Sequence, residues 1–283
     1  MERGASVRSV FPGHYEIQYG DLELEISDDY EYAWADEHYT EWSSWEGNYR
    51  ARHASAALMG LAPPVAEGSD VENRNINEII ATGDPEPMNP SEEGEIAAII
   101  YGAWKALRDI DQVEGDAPEL RRGLGDVDPD SPVLSLRPGD TFVTSLTAWT
   151  PDPMLATQFA QGTDDDAPEV MFVLAPGARA VAPDADEYPS MVVLGDDGQI
   201  INGFDAVMGS EPLPIEYVTQ GEFRVISVTE DDLGVVTIEV EHVATYDPYS
   251  GGYSPLPPRT EQRGPVEPLG DVPDDAPPPP PPV

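Results

Sequence analysis

The cations are the residues to read first, because they are few. The chain of 283 residues carries 14 Lys and Arg against 55 Asp and Glu, a formal net charge of −41. Yet Lys105, Arg108, Arg121, Arg122 and Arg137 all fall within residues 105–137. A local positive pocket there would let an acidic protein hold an anionic ligand against its overall field. A guanidinium suits that task, since its planar fork holds a phosphate oxygen by paired hydrogen bonds that lysine cannot form. The same residues can equally be surface cations paired with neighbouring carboxylates. Residue type removes other chemistries. With no cysteine there is no disulfide, thiolate metal site or cysteine nucleophile. The histidines, His14, His38, His53 and His242, are scattered without the spacing of a zinc site, so no metal is expected.

The bulk charge bounds the partners. A chain this acidic is repelled by phosphate backbones and by anionic lipid, so neither nucleic acid nor a membrane surface is an expected partner. Met1–Phe11 has two arginines but no apolar stretch, so no signal peptide is expected, and runs such as Val170–Ala175 are too short to span a bilayer. These features point to a soluble protein, in the cytoplasm or carried inside a particle. Lys105 is the only lysine. A lysine-poor acidic surface fits a salt-rich (halophilic) cytoplasm or a high-GC source, and fits an ordinary acidic protein as well.

The elements that must position the cations follow from patterning. The 40% hydrophobic content can build a core, giving one large domain or a domain with extensions. Residues 1–60 form an aromatic-rich N-terminal module. Tyr15, Ile17 and Tyr19, then Leu22, Leu24 and Ile26, alternate with polar residues about Gly20-Asp21, as in a hairpin. Trp42, Trp45 and Tyr49 have helical spacing. They read as a helix laying an aromatic face on the next domain or another subunit, or else as a ligand-stacking surface. Residues 61–88, rich in Pro and Gly, read as a linker. A helix follows, with Asn89 as N-cap, Pro90 at N1 and Glu92 at N3, and with Ile96, Ile100, Ala103, Trp104 and Leu107 on one face through Asp109. Beyond it, expected strands are Leu120–Leu124, Thr141–Ser145, Glu169–Ala175, Met191–Leu194, Ile215–Val218, Phe223–Val228 and Val235–Val243, with a helix beginning near Pro151. Asp231-Asp232-Leu233-Gly234 makes a turn. From residue 247 to 283 Pro, Gly and Asp dominate, as in a disordered tail; its Pro277–Pro282 run is an extended segment or a polyproline ligand.

Three pieces in chain order carry a resemblance. The first is Leu120-Arg121-Arg122-Gly123-Leu124. The second is Leu136-Arg137-Pro138-Gly139-Asp140-Thr141-Phe142, then Leu146-Thr147-Ala148-Trp149-Thr150-Pro151-Asp152-Pro153, then Ala156 and Phe159-Ala160. The third is Pro214-Ile215-Glu216-Tyr217-Val218, then Gly221-Glu222-Phe223-Arg224-Val225. Their order resembles the R-S-E (Arg-Ser-Glu) class of ADP-ribosyltransferases over roughly residues 90–246. That family is found in bacterial exoenzymes and in tailed-virus proteins, including fusions to head-morphogenesis regions.

The resemblance implies an α+β fold, a split β-sandwich with helices on the N-terminal side and an NAD cleft between antiparallel-type sheets. It implies cleavage of NAD to nicotinamide and transfer of ADP-ribose to a protein side chain, through an oxocarbenium-like state. Glu216 takes the catalytic role, facing the developing positive charge and holding the ribose 2′-OH. Arg122 holds a phosphate or ribose oxygen. Thr147, Trp149 and Thr150 line the nicotinamide site, and Phe159 packs the following helix beneath it. Two positions depart from the family pattern. Ala148 stands where its first serine stands, and Pro214 where it has Glu or Gln, which argues against arginine as acceptor. The acceptor, possibly a host protein, would be selected by the loop Asn202–Leu213. The rival expectation is a catalytically degenerate structural or interaction protein of a tailed-virus virion. Ala148 and Pro214 favour it, and the retained Arg122 and Glu216 favour activity. Localisation is then host cytoplasm or virion.

If the acidic surface is a salt adaptation, thermal stability rises as KCl is raised through the molar range. A melting temperature that does not move with salt would remove that reading.

Overall fold

Backbone alternation and turn chemistry account for most of the elements. The computed structural model describes residues 5–12, 14–27, 45–61, 90–162, 167–182, 189–194, 200–202 and 212–257. Strands β1 (Ala5–Phe11), β2 (His14–Tyr19) and β3 (Leu22–Ser27) come first, then helices α1 (Trp45–Leu58) and α2 (Pro90–Gln112). Next are β4 (Leu120–Leu124), a 3-10 turn (Pro132–Ser135), β5 (Thr141–Trp149) and α3 (Pro153–Ala160). The chain continues through β6 (Val170–Leu174), β7 (Pro189–Leu194), β8 (Ile200–Asn202), β9 (Pro212–Pro214), β10 (Tyr217–Glu230), β11 (Val236–Asp247) and β12 (Gly252–Pro255). The class is α+β, as expected.

The expected hairpin is β2–β3. Tyr19 pairs with Leu22, and Gly20 takes a φ of +60° at the first central turn position, where glycine is at ease. A further strand, β1, pairs antiparallel with β2. Of the aromatic run, Trp42 and the side chains of Trp45 and Tyr49 lie outside the described residues, as do Asn89, nearly all of the linker, and 258–283. The tail does not begin at 247. The chain turns through Gly251, at φ +68°, and β12 pairs back on β11, with Tyr253 edge-on against Tyr246 at 5.6 Å. An aromatic pair and a glycine turn outweigh the polar composition there.

The main sheet runs β4-β6-β11-β10-β5, with β12 added on β11. The expectation of antiparallel-type sheets needs correction at one pair: β6 and β11 are parallel, joined by a long crossover that carries β7 to β10. The sheet also closes on itself. Its edge strands β4 and β5 meet where Arg121 N donates to the Thr150 carbonyl at 2.7 Å and Thr150 N to the Arg121 carbonyl at 2.8 Å. A second sheet, β8-β7-β9, is reached through a segment whose Val181 exchanges backbone hydrogen bonds with Val218.

Curling creates two cores. Inside lie Leu120, Trp149, Phe172, Leu174, Phe223, Val225, Ile238 and Val240. Outside, β2, β3, α1 and α2 share one apolar cluster that reaches Leu146, Val218 and Tyr246 on the main sheet. Helix α2 lies in the middle of this cluster. It buries Ile99 and Ile110 beyond the expected Ile96, Ile100, Ala103, Trp104 and Leu107. A bulge lets β5 serve both cores: Thr219 pairs with Thr147 but Gly221 with Thr144, leaving one extra residue in β5. Phe142 therefore faces inward while Leu146 faces the helices. Gly221 makes the kink possible. It holds φ +119°, and a Cβ there would run into the Ala244 carbonyl.

His242 closes the inner core. Its ring stacks on Phe223 at 4.7 Å. Its Nδ1 accepts from Arg179 N at 3.3 Å, which leaves Nε2 to donate to the Ala244 carbonyl at 3.1 Å. Burial, aided by the Arg179 charge, pushes its pKa down to about 4 from 6.5, against hydrogen bonds to the Gln220 and Ala244 backbone. The unfolded chain thus takes up a proton that the fold refuses. The stabilisation is complete above the unfolded pKa of about 6.5 and is lost as pH falls toward about 4, a loss of about 3 kcal/mol at most. Urea midpoints at pH 7 and pH 4.5 should fall further for the wild type than for H242Q; an equal fall would rule His242 out as the acid-sensitive group.

Candidate active site

The site is built at the seam where β4 meets β5. Arg137-Pro138-Gly139-Asp140 is a tight turn with Gly139 at φ +94°, Asp140 N donating to the Arg137 carbonyl at 3.0 Å and Arg137 N to Asp140 Oδ2 at 2.8 Å. It launches β5 beside β10. At the far end of β5, Asp152 caps α3 by accepting from Met154 N at 2.8 Å and Leu155 N at 3.2 Å, with Pro153 opening the helix. Helix α3 then lies directly on β4: a Cβ at Gly123 would strike the Ala156 carbonyl and the Ala160 nitrogen. This close approach explains the Arg-Gly pair and the small residues of α3 together. Gly123 faces α3, so strand alternation turns Arg122 to the other face.

Arg122 and Glu216 come together there. Arg122 is partly buried, and its Nη1 donates to the Ala148 carbonyl at 2.9 Å. Glu216, also partly buried, lies between β9 and β10. The next two residues fix its place, since Tyr217 pairs with Trp149 and Val218 with Ala148. Glu216 directly precedes this ladder, at the end of β5 where Thr150 is bridged to Arg121. Arg122 feels Glu216 electrostatically. Burial and the charge of Arg52 push its pKa down to about 9, and Glu216 works in the opposite direction. The guanidinium is charged at neutral pH.

The other expected site residues divide. Thr147 and Thr150 stand on this strand end but are buried, with Thr147 Oγ1 donating to the Ser145 carbonyl at 2.8 Å and Thr150 Oγ1 accepting from Asp152 N at 3.1 Å. Trp149 does not line the site. It is 3% exposed and packs in the inner core, with ring centroids 6.0 Å from Phe223 and 6.4 Å from Phe172. Phe159 does not pack beneath the site either; it is 64% exposed, because Ala156 and Ala160 take the inner face of α3. Ala148 packs its methyl against the outer core and offers Arg122 its carbonyl. Pro214 ends β9, and most of the expected acceptor loop, residues 203–211, lies outside the described residues.

The cation stretch disperses. Arg108 binds Asp109 and lies over the Trp104 ring, Arg121 binds Glu119, and Arg137 turns to the Leu134 and Leu136 carbonyls of its own loop. Of these arginines, Arg122 reaches the site. Its cationic neighbour is instead Arg52 of α1, which sequence reasoning missed. The one signal for it was a local basic run, Arg50, Arg52 and His53, in a helix with a single carboxylate, Glu46.

No family model matches the chain, and a search of curated proteins found no match. Among solved structures the chain is similar to the ADP-ribosyltransferase Vis of Vibrio splendidus in complex with agmatine, at 13% identity over 78% of this chain and 83% of that one, with a TM-score of 0.39. It is similar to exoenzyme S of Pseudomonas aeruginosa, in complex with human 14-3-3 protein beta and bound to Carba-NAD, at 14% identity over 74% and 86% of the chains, TM-score 0.36. It is similar to the catalytic domain of VahC from Aeromonas hydrophila at 17% identity over 73% and 96%, TM-score 0.35.

The two aromatic residues separate by measurement. W149A should lose about 3–5 kcal/mol of stability by emptying the inner core, whereas F159A should stay within about 0.5 kcal/mol of wild type in chemical denaturation. Equal effects would contradict the two environments.

Proposed function

We propose that the chain is an NAD-dependent mono-ADP-ribosyltransferase that releases nicotinamide and transfers ADP-ribose to a protein side chain. The observation that carries this reading is the meeting of Arg122 and Glu216, far apart in sequence, at one end of the β4–β5 seam. The chemistry needs one anion-binding group and one carboxylate. The bond between the nicotinamide nitrogen and ribose C1′ breaks with its electron pair going to nicotinamide, which leaves neutral. The ribose is left oxocarbenium-like, and the Glu216 carboxylate stabilises that charge and holds the 2′-OH. These contacts strengthen as charge develops, so they act on the barrier and not only on binding. Arg122 holds a phosphate or ribose oxygen. The acceptor attacks C1′ and gives up its proton. Its selection belongs to the segment ahead of Glu216.

A second reading, a degenerate structural or virion role, is favoured by Ala148, whose methyl packs into the core where the family has a serine hydroxyl. Nicotinamide release from NAD, in low and high salt, decides between them. Wild type should release nicotinamide, and E216Q should lose about 100-fold or more of the rate. Equal release by both would mean that Glu216 is misassigned. No release from folded protein that also fails to bind NAD would favour the structural role.

A further inference from the structure

Helix α2 ends on negative charge. Its last turn holds Asp109 and Asp111 and no basic residue, although the free carbonyls of a helix C-terminus favour a cation. Arg179, in the segment between β6 and β7, supplies one from outside. A single nitrogen, Nη1, donates to the Asp111 carbonyl at 2.5 Å, to Asp111 Oδ1 at 3.4 Å and to Thr245 Oγ1 at 3.3 Å. The Thr245 hydroxyl in turn donates to Asp111 Oδ1 at 2.6 Å, which closes a triangle of three groups. Thr245 is fully buried, and the side chains of Arg179 and Asp111 are 25% and 18% exposed. A pair this sheltered is screened less than one on the surface.

The backbone of the same residue reaches the strand that follows Glu216. Thr219 Oγ1 donates to the Arg179 carbonyl at 2.7 Å, and Arg179 N donates to His242 Nδ1 at 3.3 Å. Two residues on, Val181 N donates to the Val218 carbonyl at 3.0 Å and Val218 N to the Val181 carbonyl at 2.7 Å. The start of β10 is therefore held on one side by β5 and on the other by the segment that Arg179 anchors. Glu216 lies between β9 and β10, two residues before Val218, so these neighbours fix its backbone. Arg122 is placed differently, on the Ala148 carbonyl of β5.

We propose that Arg179 is a positioning residue for Glu216: it locks the start of β10 to the end of α2, so that the carboxylate is presented at a fixed place. The role rests on the proposed catalysis by Glu216. That carboxylate acts on charge that develops as the bond breaks, so a misplaced Glu216 slows turnover. Binding of NAD changes little, because the anchor of Arg122 is untouched.

Nicotinamide release at varied NAD concentration tests this, together with amide hydrogen exchange on the same full-length variants. R179M keeps the apolar stem and removes the charge; its kcat should fall about 10- to 100-fold, with KM for NAD within about two-fold of wild type. R179K should recover most of the rate, because one nitrogen makes all three side-chain contacts and an ammonium can replace it. T219V removes only the hydroxyl that meets the Arg179 carbonyl; it should lower kcat in the same direction and serves if R179M folds poorly. The Val181 and Val218 amides should exchange about 10-fold faster or more in R179M, while Val225, further along β10, keeps its protection. I238V, which thins the inner core, should lower stability and leave kcat unchanged. Wild-type kcat in folded R179M and T219V overturns the positioning role and leaves NAD cleavage standing. A fall in kcat that I238V shares, or unchanged exchange at Val181 and Val218, also overturns it. Wild type that releases no nicotinamide overturns the catalytic reading itself and the role of Arg179 with it.

Discussion

Two backbone hydrogen bonds between Arg121 and Thr150 hold the site together, because they join strands at opposite edges of the main sheet. An open twisted sheet would leave β4 and β5 four strands apart. Curling the sheet until they bridge brings Arg122, the residue after Arg121, onto the end of β5, where its guanidinium donates to the Ala148 carbonyl. The glycine at 123 permits α3 to lie across the seam, so the helix that follows β5 clamps the strand that β5 has joined. Loss of that close approach would loosen Arg122 without touching it.

The division of the interior into two cores follows from the bulge in β5. A strand with unbroken alternation could point Phe142 and Trp149 to opposite faces only, since one is even and the other odd. The extra residue lets both enter the inner core, while Leu146 and Ala148 turn to the helices. Helix α1 can therefore pack on β5 close to the functional end, tied by Ser55 to Leu146 and by the Tyr246 hydroxyl, which donates to the Leu58 carbonyl at 2.7 Å. The N-terminal elements thereby support the strand that anchors Arg122.

What the sequence made legible follows the range of the forces involved. Local signals read well: β4 at Leu120–Leu124, the Pro-Gly turn, the capped helices and the Asp231–Gly234 turn, where Gly234 N donates to the Asp231 carbonyl at 3.1 Å, all rest on neighbours within a few residues. That Glu216 lies within electrostatic reach of Arg122 was legible only through motif order, since no local rule connects them. Facing was not legible. The bulge that sends Trp149 inward is set by Gly221 on another strand, and Phe159 is exposed because two alanines on the same helix fit against a glycine better than a ring would. The strand expected at Ile215–Val218 is broken at Ile215 and Glu216, where the chain passes from β9 to β10 and leaves the carboxylate off the ladder. Charge clustering misled for a related reason: proximity in sequence put five cations together, whereas ion pairs with their own neighbours took Arg108 and Arg121 away from the site.

The substitution at Ala148 is the strongest sequence argument against activity, and the geometry weakens it. Arg122 is anchored on the carbonyl of residue 148, which every amino acid supplies, and not on its side chain. Replacing a serine there removes one hydroxyl but keeps the guanidinium in place. The methyl meanwhile gains a position against the outer core, beside the helix that carries Arg52. Hydroxyls are not absent from the strand end either: Thr147 and Thr150 flank the position, although both are held by backbone partners. What this arrangement preserves is the place of the Arg122 charge, held on a backbone carbonyl and within electrostatic reach of Glu216.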